Sequence, residues 1–329
     1  MPSTAQDPIY LSVLSPRDAR FDDRRRETDR FKALYRLSGH DGYVDRMTQC
    51  SRYLDFALQF EDNGVLVPKL QSAHFCRVRL CPICQWRRSV MWQAKTLKII
   101  PKVVEDNPKS RFIFMTLTVR NCELDDLRET LKWMHNSWMK LLKRKEFKPV
   151  DGWVRSVEVT RGADDTAHPH YHVLLMVQPS YFGGTYYVSQ KRWTEVWQSC
   201  LGVEYTPIVD VRSVRPGKRE KGEEGEVLMS SAICETLKYS VKPSECLRVD
   251  KAQRVSNQEW LSKITSQLYK TRAIATGGIL KKYLKELEQE PEDLVHADDD
   301  GLTPVDEESP RVGFSWSEDL SRYTMTEAS

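Results

Sequence analysis

The chain has 329 residues, 40% of them apolar, with 50 Lys and Arg against 47 Asp and Glu. That length allows one large domain or two modest ones with full cores. The longest apolar run, Phe112–Val119, is strand-length, far short of the ~18–20 residues a bilayer-spanning helix needs.

The near-neutral total is uneven. From Glu288 to Ser329 thirteen acids face two arginines, a net −11, while residues 1–287 carry +14. A basic body with an acidic tail is the asymmetry of a polyanion binder. The first residues, Met1-Pro-Ser-Thr-Ala-Gln-Asp7, lack the basic and then apolar segments of a secretory signal, so a soluble cytoplasmic protein is expected.

Residues 1–30 are polar and end in Arg24-Arg-Arg-Glu-Thr-Asp-Arg30. They read as a solvated helix face or, alternatively, as a phosphate-contacting arm. Four of eight cysteines, Cys50, Cys76, Cys81 and Cys84, fall within 35 residues. In a reducing compartment such clustering suggests metal before disulfide. An Arg- and Trp-rich helix follows from about Gln85 to Ile100.

An alternation of strands and helices then begins. Arg111–Val119 reads as a strand. Glu123–Lys143 spaces Leu124, Leu127, Leu131, Met134, Trp138 and Leu141 by three and four, one face of a helix. Gly152–Arg161 alternates as a strand, a turn at residues 162–166 reverses it, and His170–Gln178 completes a hairpin. Ser189–Cys200 is the next helix, with Ser189 as its N-cap. Tyr205–Val214 is a strand, Arg215–Glu226 a mobile loop, and Ser230–Val241 a helix. Residues 256–287 look helical with a break at Gly277-Gly278. From Glu288 onward the composition predicts disorder. The order implies an α+β fold: an antiparallel sheet with helices on one face and the other face open to a ligand.

Three of the seven histidines lie in His168-Pro-His170-Tyr-His172. His170 and His172 are two apart on a strand, so they share a face. His168 and His170 share the same spacing, which leaves the pair ambiguous. The 170/172 pair is preferred because it lies deeper in the apolar strand. Glu158, on the partner strand, joins them if it projects from that face. Two imidazoles and a carboxylate suit Mn²⁺ or Mg²⁺ acting as a Lewis acid on phosphate.

Glu235-Thr-Leu-Lys-Tyr239-Ser-Val-Lys242 lies on the last of these predicted helices, where Glu235 and Tyr239 stack at i and i+4. A tyrosine hydroxyl can attack phosphorus, a carboxylate can activate water, and Lys242 is close enough to favour the phenolate or the phosphate.

From about Tyr43 to Leu284 the chain resembles the rolling-circle plasmid replication initiators of the HUH endonuclease superfamily. Phe114-Met-Thr-Leu-Thr118 is similar to the family's first strand motif, and His168–Leu175 to its metal motif. Glu235–Lys242 resembles the tyrosine motif of the branch with one Tyr and a Glu four residues before it. The resemblance implies a nickase that holds origin DNA, attacks it through Tyr239, leaves a 5′-phosphotyrosyl link and a priming 3′-OH, and ends the round by a Glu235-assisted second cut. It implies metal ligation by His170 and His172, with Glu158 a weaker inference. The implied partners are the plasmid double-strand origin, host helicase and DNA polymerase, in a bacterial or archaeal cytoplasm.

Cys76-Arg-Val-Arg-Leu-Cys81-Pro-Ile-Cys84 supplies a zinc knuckle. The fourth Zn²⁺ ligand is Cys50 or His74, and the resemblance favours Cys50. Arg77, Arg79, Arg87 and Arg88 are the expected phosphate contacts, and Trp86 or Trp92 could stack on a base or pack in the core. The expected organisation is a basic arm (1–42), a zinc module contacting DNA (43–104), the nickase domain (105–250), a helical segment (251–287) and a disordered acidic tail (288–329). Competing readings are a non-catalytic zinc-containing DNA-binding regulator and an HUH transposase or relaxase.

Overall fold

The computed structural model describes residues 7–60, 64–183, 186–215, 226–249, 255–287, 293–297 and 308–326. The expected loop at 216–225 and parts of the tail lie outside them. The chain forms two compact units, residues 1–91 with 292–329, and residues 92–291.

The first unit holds helices α1 (Leu11–Leu14), α2 (Arg20–Leu37) and α3 (Asp41–Gln49), and strands β1 (Tyr53–Phe60) and β2 (Leu66–Ala73). The division between units falls within α4 (Pro82–Asp106). Phe21, Phe31 and Tyr35 bury one side of α2, and Phe21 meets Trp86 edge-on at 4.8 Å. Arg25 is buried on the same helix and donates to the carbonyls of Met47, Thr48 and Cys50. It thus serves carbonyls at and just beyond the end of α3, where the helix ladder runs out; Met47 also accepts from the Cys50 amide. Residues 20–37 are therefore a packed helix and not a wholly solvated face.

The second unit contains β3 (Arg111–Thr118), α5 (Leu127–Leu141), β4 (Val150–Arg161), β5 (Ala167–Val177), α6 (Gln190–Leu201) and β6 (Val209–Arg215). After these come β7 (Glu226–Leu228), α7 (Met229–Thr236), α8 (Pro243–Cys246), α9 (Asn257–Leu268), β8 (Ile274–Gly277) and α10 (Gly278–Glu286). Ser189 accepts from the Arg192 amide as the expected N-cap of α6. The strand order is β7-β6-β3-β5-β4-β8, antiparallel except for β6 with β7.

The α+β class stands, but helices cover both faces of this sheet. On one face α4, α7 and α10 pack on Phe112, Phe114, Val154, Leu174 and Met176. On the other, Trp138 of α5 meets Trp153 and Tyr171, and Trp197 of α6 meets Tyr171. The reason is in the strands: Phe112-Ile-Phe-Met115 and Val173-Leu-Leu-Met-Val177 are apolar on both sides, so both need cover.

Two further expectations are corrected. Ile274–Gly277 is a strand on the edge of β4, not part of a helix. The acidic tail is not disordered throughout. Residues 311–317 and 322–326 form β9 and β10, which complete a sheet ordered β10-β9-β1-β2 in the first unit. Val312, Phe314 and Trp316 alternate inward on β9, and the fully buried Tyr323 donates to the Ser51 carbonyl at 2.6 Å. Alternating burial decides the structure here, although charge dominates the segment's composition. Among the described residues no helix is long and apolar enough to cross a membrane.

Candidate metal and nuclease site

The β4–β5 register sets Glu158 directly opposite His170 and Ser156 opposite His172. On the other side, Thr118 pairs with His170 and Thr116 with His172. Period-two alternation therefore turns Glu158, His170 and His172 to one face, beyond the apolar end covered by α4, α7 and α10.

All three are buried, with Glu158 only 1% exposed. Glu158 Oε2 lies 3.0 Å from His170 Nε2 and 2.8 Å from His172 Nε2. The His172 ring stacks on Phe114 at 5.7 Å, and its Nδ1 lies 3.3 Å from Thr116 Oγ1. His170 Nδ1 faces the His168 carbonyl at 3.2 Å. His168 turns instead to Asn121 Oδ1 at 2.7 Å. This resolves the ambiguous pair: His170 and His172 converge with Glu158, and His168 does not.

Burial alone would raise the Glu158 carboxyl. Hydrogen bonds from His170, His172 and Lys238 outweigh burial and hold it well below the usual carboxylate range. Burial lowers His172 despite its bond to Glu158, which favours the neutral imidazole a metal requires. An ionised carboxylate and two imidazoles, their ligand atoms within 4.8 Å of one another, fit a divalent cation.

The tyrosine motif departs from its expected geometry. α7 ends at Thr236, so Tyr239 is not stacked on Glu235 along a helix. Lys242 precedes Pro243 and is extended (φ −67°, ψ 139°), as a residue before proline prefers. The 239–242 segment is instead fastened to β4, where the Val159 amide donates to the Ser240 carbonyl at 2.8 Å. Glu235 Oε1 lies 3.9 Å from His172 Nε2. Lys242 Nζ lies 3.6 Å from Glu158 Oε1. The nearer cation is Lys238, which the sequence reading passed over, at 2.7 Å from Glu158 Oε2. Its i+3 spacing from Glu235 was the available signal.

The cysteine cluster lies in the first unit. The β1–β2 hairpin returns the chain so that Ser51 donates to the His74 carbonyl at 2.6 Å, which brings Cys50 back to Cys76. Cys50 Sγ lies 3.7 Å from Cys81 and 3.6 Å from Cys84, and Cys76 lies 3.6 Å from Cys84. Four thiolates about 2.3 Å from a tetrahedral zinc would stand roughly 3.8 Å apart, so the spacing fits that ion. Arg77 adopts φ 54°, which turns its amide toward Cys84 Sγ at 3.3 Å. His74 is exposed, so Cys50 completes the set.

The four expected arginines separate. Arg87 is fully buried and donates to the carbonyls of Leu294 and Val295, so it is structural. Arg77 is exposed, while Arg79 and Arg88 are partly buried. Burial, then the charge of Arg88, lowers Arg79 to about 10. Trp86 is buried and Trp92 packs against the second unit's core.

A family model described as "replication protein" matches residues 67–324. Three curated relatives, each called "Protein rep", align over most of the chain. One from Streptococcus pneumoniae serotype 2 is 38% identical, covering 80% of this chain and 79% of its own length. One from Lentilactobacillus hilgardii is 34% identical, covering 85% and 87%. One from Bacillus amyloliquefaciens is 34% identical, covering 86% and 84%. No solved structure matches the chain. The chain belongs to the replication protein family, the rolling-circle plasmid replication initiators.

Proposed function

We propose that this initiator is a metal-dependent single-strand nickase and strand-transfer enzyme acting at a plasmid double-strand origin in the cytoplasm. The observation that carries the reading is the convergence of Glu158, His170 and His172 on one sheet face. The Val159–Ser240 hydrogen bond supports it by tying the tyrosine segment to the ligand strand.

A Mn²⁺ or Mg²⁺ ion held by Glu158, His170 and His172 would polarise the scissile phosphate. The Tyr239 oxygen attacks phosphorus as its proton passes to solvent water. The bond from phosphorus to the 3′-oxygen breaks, and that oxygen is protonated to a 3′-OH that primes leading-strand synthesis. The DNA 5′ end remains on Tyr239 as a phosphodiester. Lys242, exposed beside Glu158, offsets charge on the phosphate. In the second cut Glu235 takes a proton from water, whose oxygen attacks the phosphorus of the regenerated origin. The bond to the 3′-oxygen breaks, leaving a 5′-phosphate and a 3′-OH, and that 3′-OH then displaces the Tyr239 oxygen from the first 5′ end. The cysteine cluster holds Zn²⁺ as a structural element of the first unit. Arg77, Arg79 and Arg88 contact origin phosphates, and host helicase and DNA polymerase extend the primed strand.

The test uses 3′-labelled single strands tiled across the plasmid's own origin, with Mn²⁺. The wild-type protein forms a covalent adduct with one of them and Tyr239→Phe forms none. An adduct that survives in Tyr239→Phe, or none with either protein, overturns the reading.

A further inference from the structure

Glu158 Oε2 serves three partners at once. His172 Nε2 is at 2.8 Å, His170 Nε2 at 3.0 Å and Lys238 Nζ at 2.7 Å. The carboxylate is 1% exposed, and the Lys238 side chain is 19% exposed. Lys238 Nζ also reaches Glu235 Oε1 at 2.5 Å, and that oxygen lies 3.9 Å from His172 Nε2. The ammonium thus stands between the carboxylate of the ligand set and the carboxylate proposed to activate water.

A divalent ion bound through this oxygen and the two imidazoles needs the same lone pairs. Two cations sharing one buried carboxylate oxygen repel strongly, because little water screens them. The ammonium has somewhere to go, since it already holds Glu235 and is itself partly exposed. Lys242 stands elsewhere: it approaches the other oxygen, Oε1, at 3.6 Å and is exposed.

We propose that Lys238 is a positioning residue that competes with the divalent ion for Glu158 Oε2 and is handed to Glu235 as the ion binds. Lys238 thereby sets the site's metal affinity. It weakens binding of any cation that cannot displace an ammonium. The inference rests on the assignment of Glu158, His170 and His172 as metal ligands.

The experiment titrates the full-length protein with Mn²⁺, reading free Mn²⁺ by electron paramagnetic resonance, with circular dichroism confirming the fold. Lys238→Met and Lys238→Gln remove the charge, and Lys238→Arg keeps it. The two neutral variants should bind Mn²⁺ on the order of tenfold more tightly than wild type, with Lys238→Arg near wild type. Unchanged or weaker binding in a folded neutral variant overturns the proposal. His172→Ala separates the two levels. If it binds Mn²⁺ as wild type does, the ligand assignment fails and the inference falls with it.

Discussion

The backbone amide of Val159 donates to the carbonyl of Ser240 at 2.8 Å, and this bond joins the strand bearing Glu158 to the segment bearing Tyr239. It lies one residue from each. Downstream, the Arg161 amide donates to Glu245 Oε2 at 3.0 Å, and Arg248 returns to the Arg161 and Gly162 carbonyls. The proposed nucleophile is thus held by tertiary hydrogen bonds instead of helical stacking. Replacing Val159 by Pro removes the donor. Tyr239 adduct formation should then fall by about tenfold or more, the effect of a small misplacement, while Mn²⁺ affinity, read by titration, changes less. Equal loss of both would place the bond in fold maintenance alone.

Glu235→Ala should retain first-strand nicking and adduct formation but lose the hydrolytic second cut. Glu235 is on α7 and exposed, with its Oε1 3.9 Å from His172 Nε2. The measurement is the ratio of free to protein-bound 5′ ends after one replication round. Free 5′ ends formed at the wild-type rate remove Glu235 from the second cut.

How much of this was legible in the sequence depends on how local the cause is. The His170/His172 pair and its alignment with Glu158 follow from period-two alternation and a tight hairpin turn, both short-range. The ends of α7 are not local. Its pattern runs on to Val241, but the Val159–Ser240 bond and Pro243 lie where the helix would continue. β8 pairs with β4, more than a hundred residues earlier in the chain for each partner, so its cause is not local either. β9 carried a readable signal, Val312, Phe314 and Trp316 in alternation, but the surrounding acids hid it in the segment average. Cys50 is far from the knuckle in sequence, and the intervening hairpin closes that distance.

Cys81→Ser should abolish zinc binding and destabilise the first unit by several kcal/mol, because metal binding there is folding energy. Cys246→Ser, whose thiol is buried in the second unit, should keep the zinc. Metal content by mass spectrometry of the purified proteins, with thermal unfolding, distinguishes them. Equal zinc content in wild type and Cys81→Ser removes the cluster as a zinc site.

Arg87→Met separates stability from DNA contact. The guanidinium is fully buried, and its Nε and Nη2 donate to the Leu294 and Val295 carbonyls at 2.8 and 2.7 Å. Removing it leaves one buried and one part-buried acceptor without this donor, worth about 2–4 kcal/mol together. It also releases the 293–297 segment that precedes β9. The expected result is a lower midpoint in urea with origin affinity unchanged wherever the protein is folded. Arg77→Ala is the converse: the side chain is exposed, so stability should hold while the salt dependence of DNA binding falls by about one counterion. An Arg87→Met protein of wild-type stability but weak DNA binding would return Arg87 to the DNA surface.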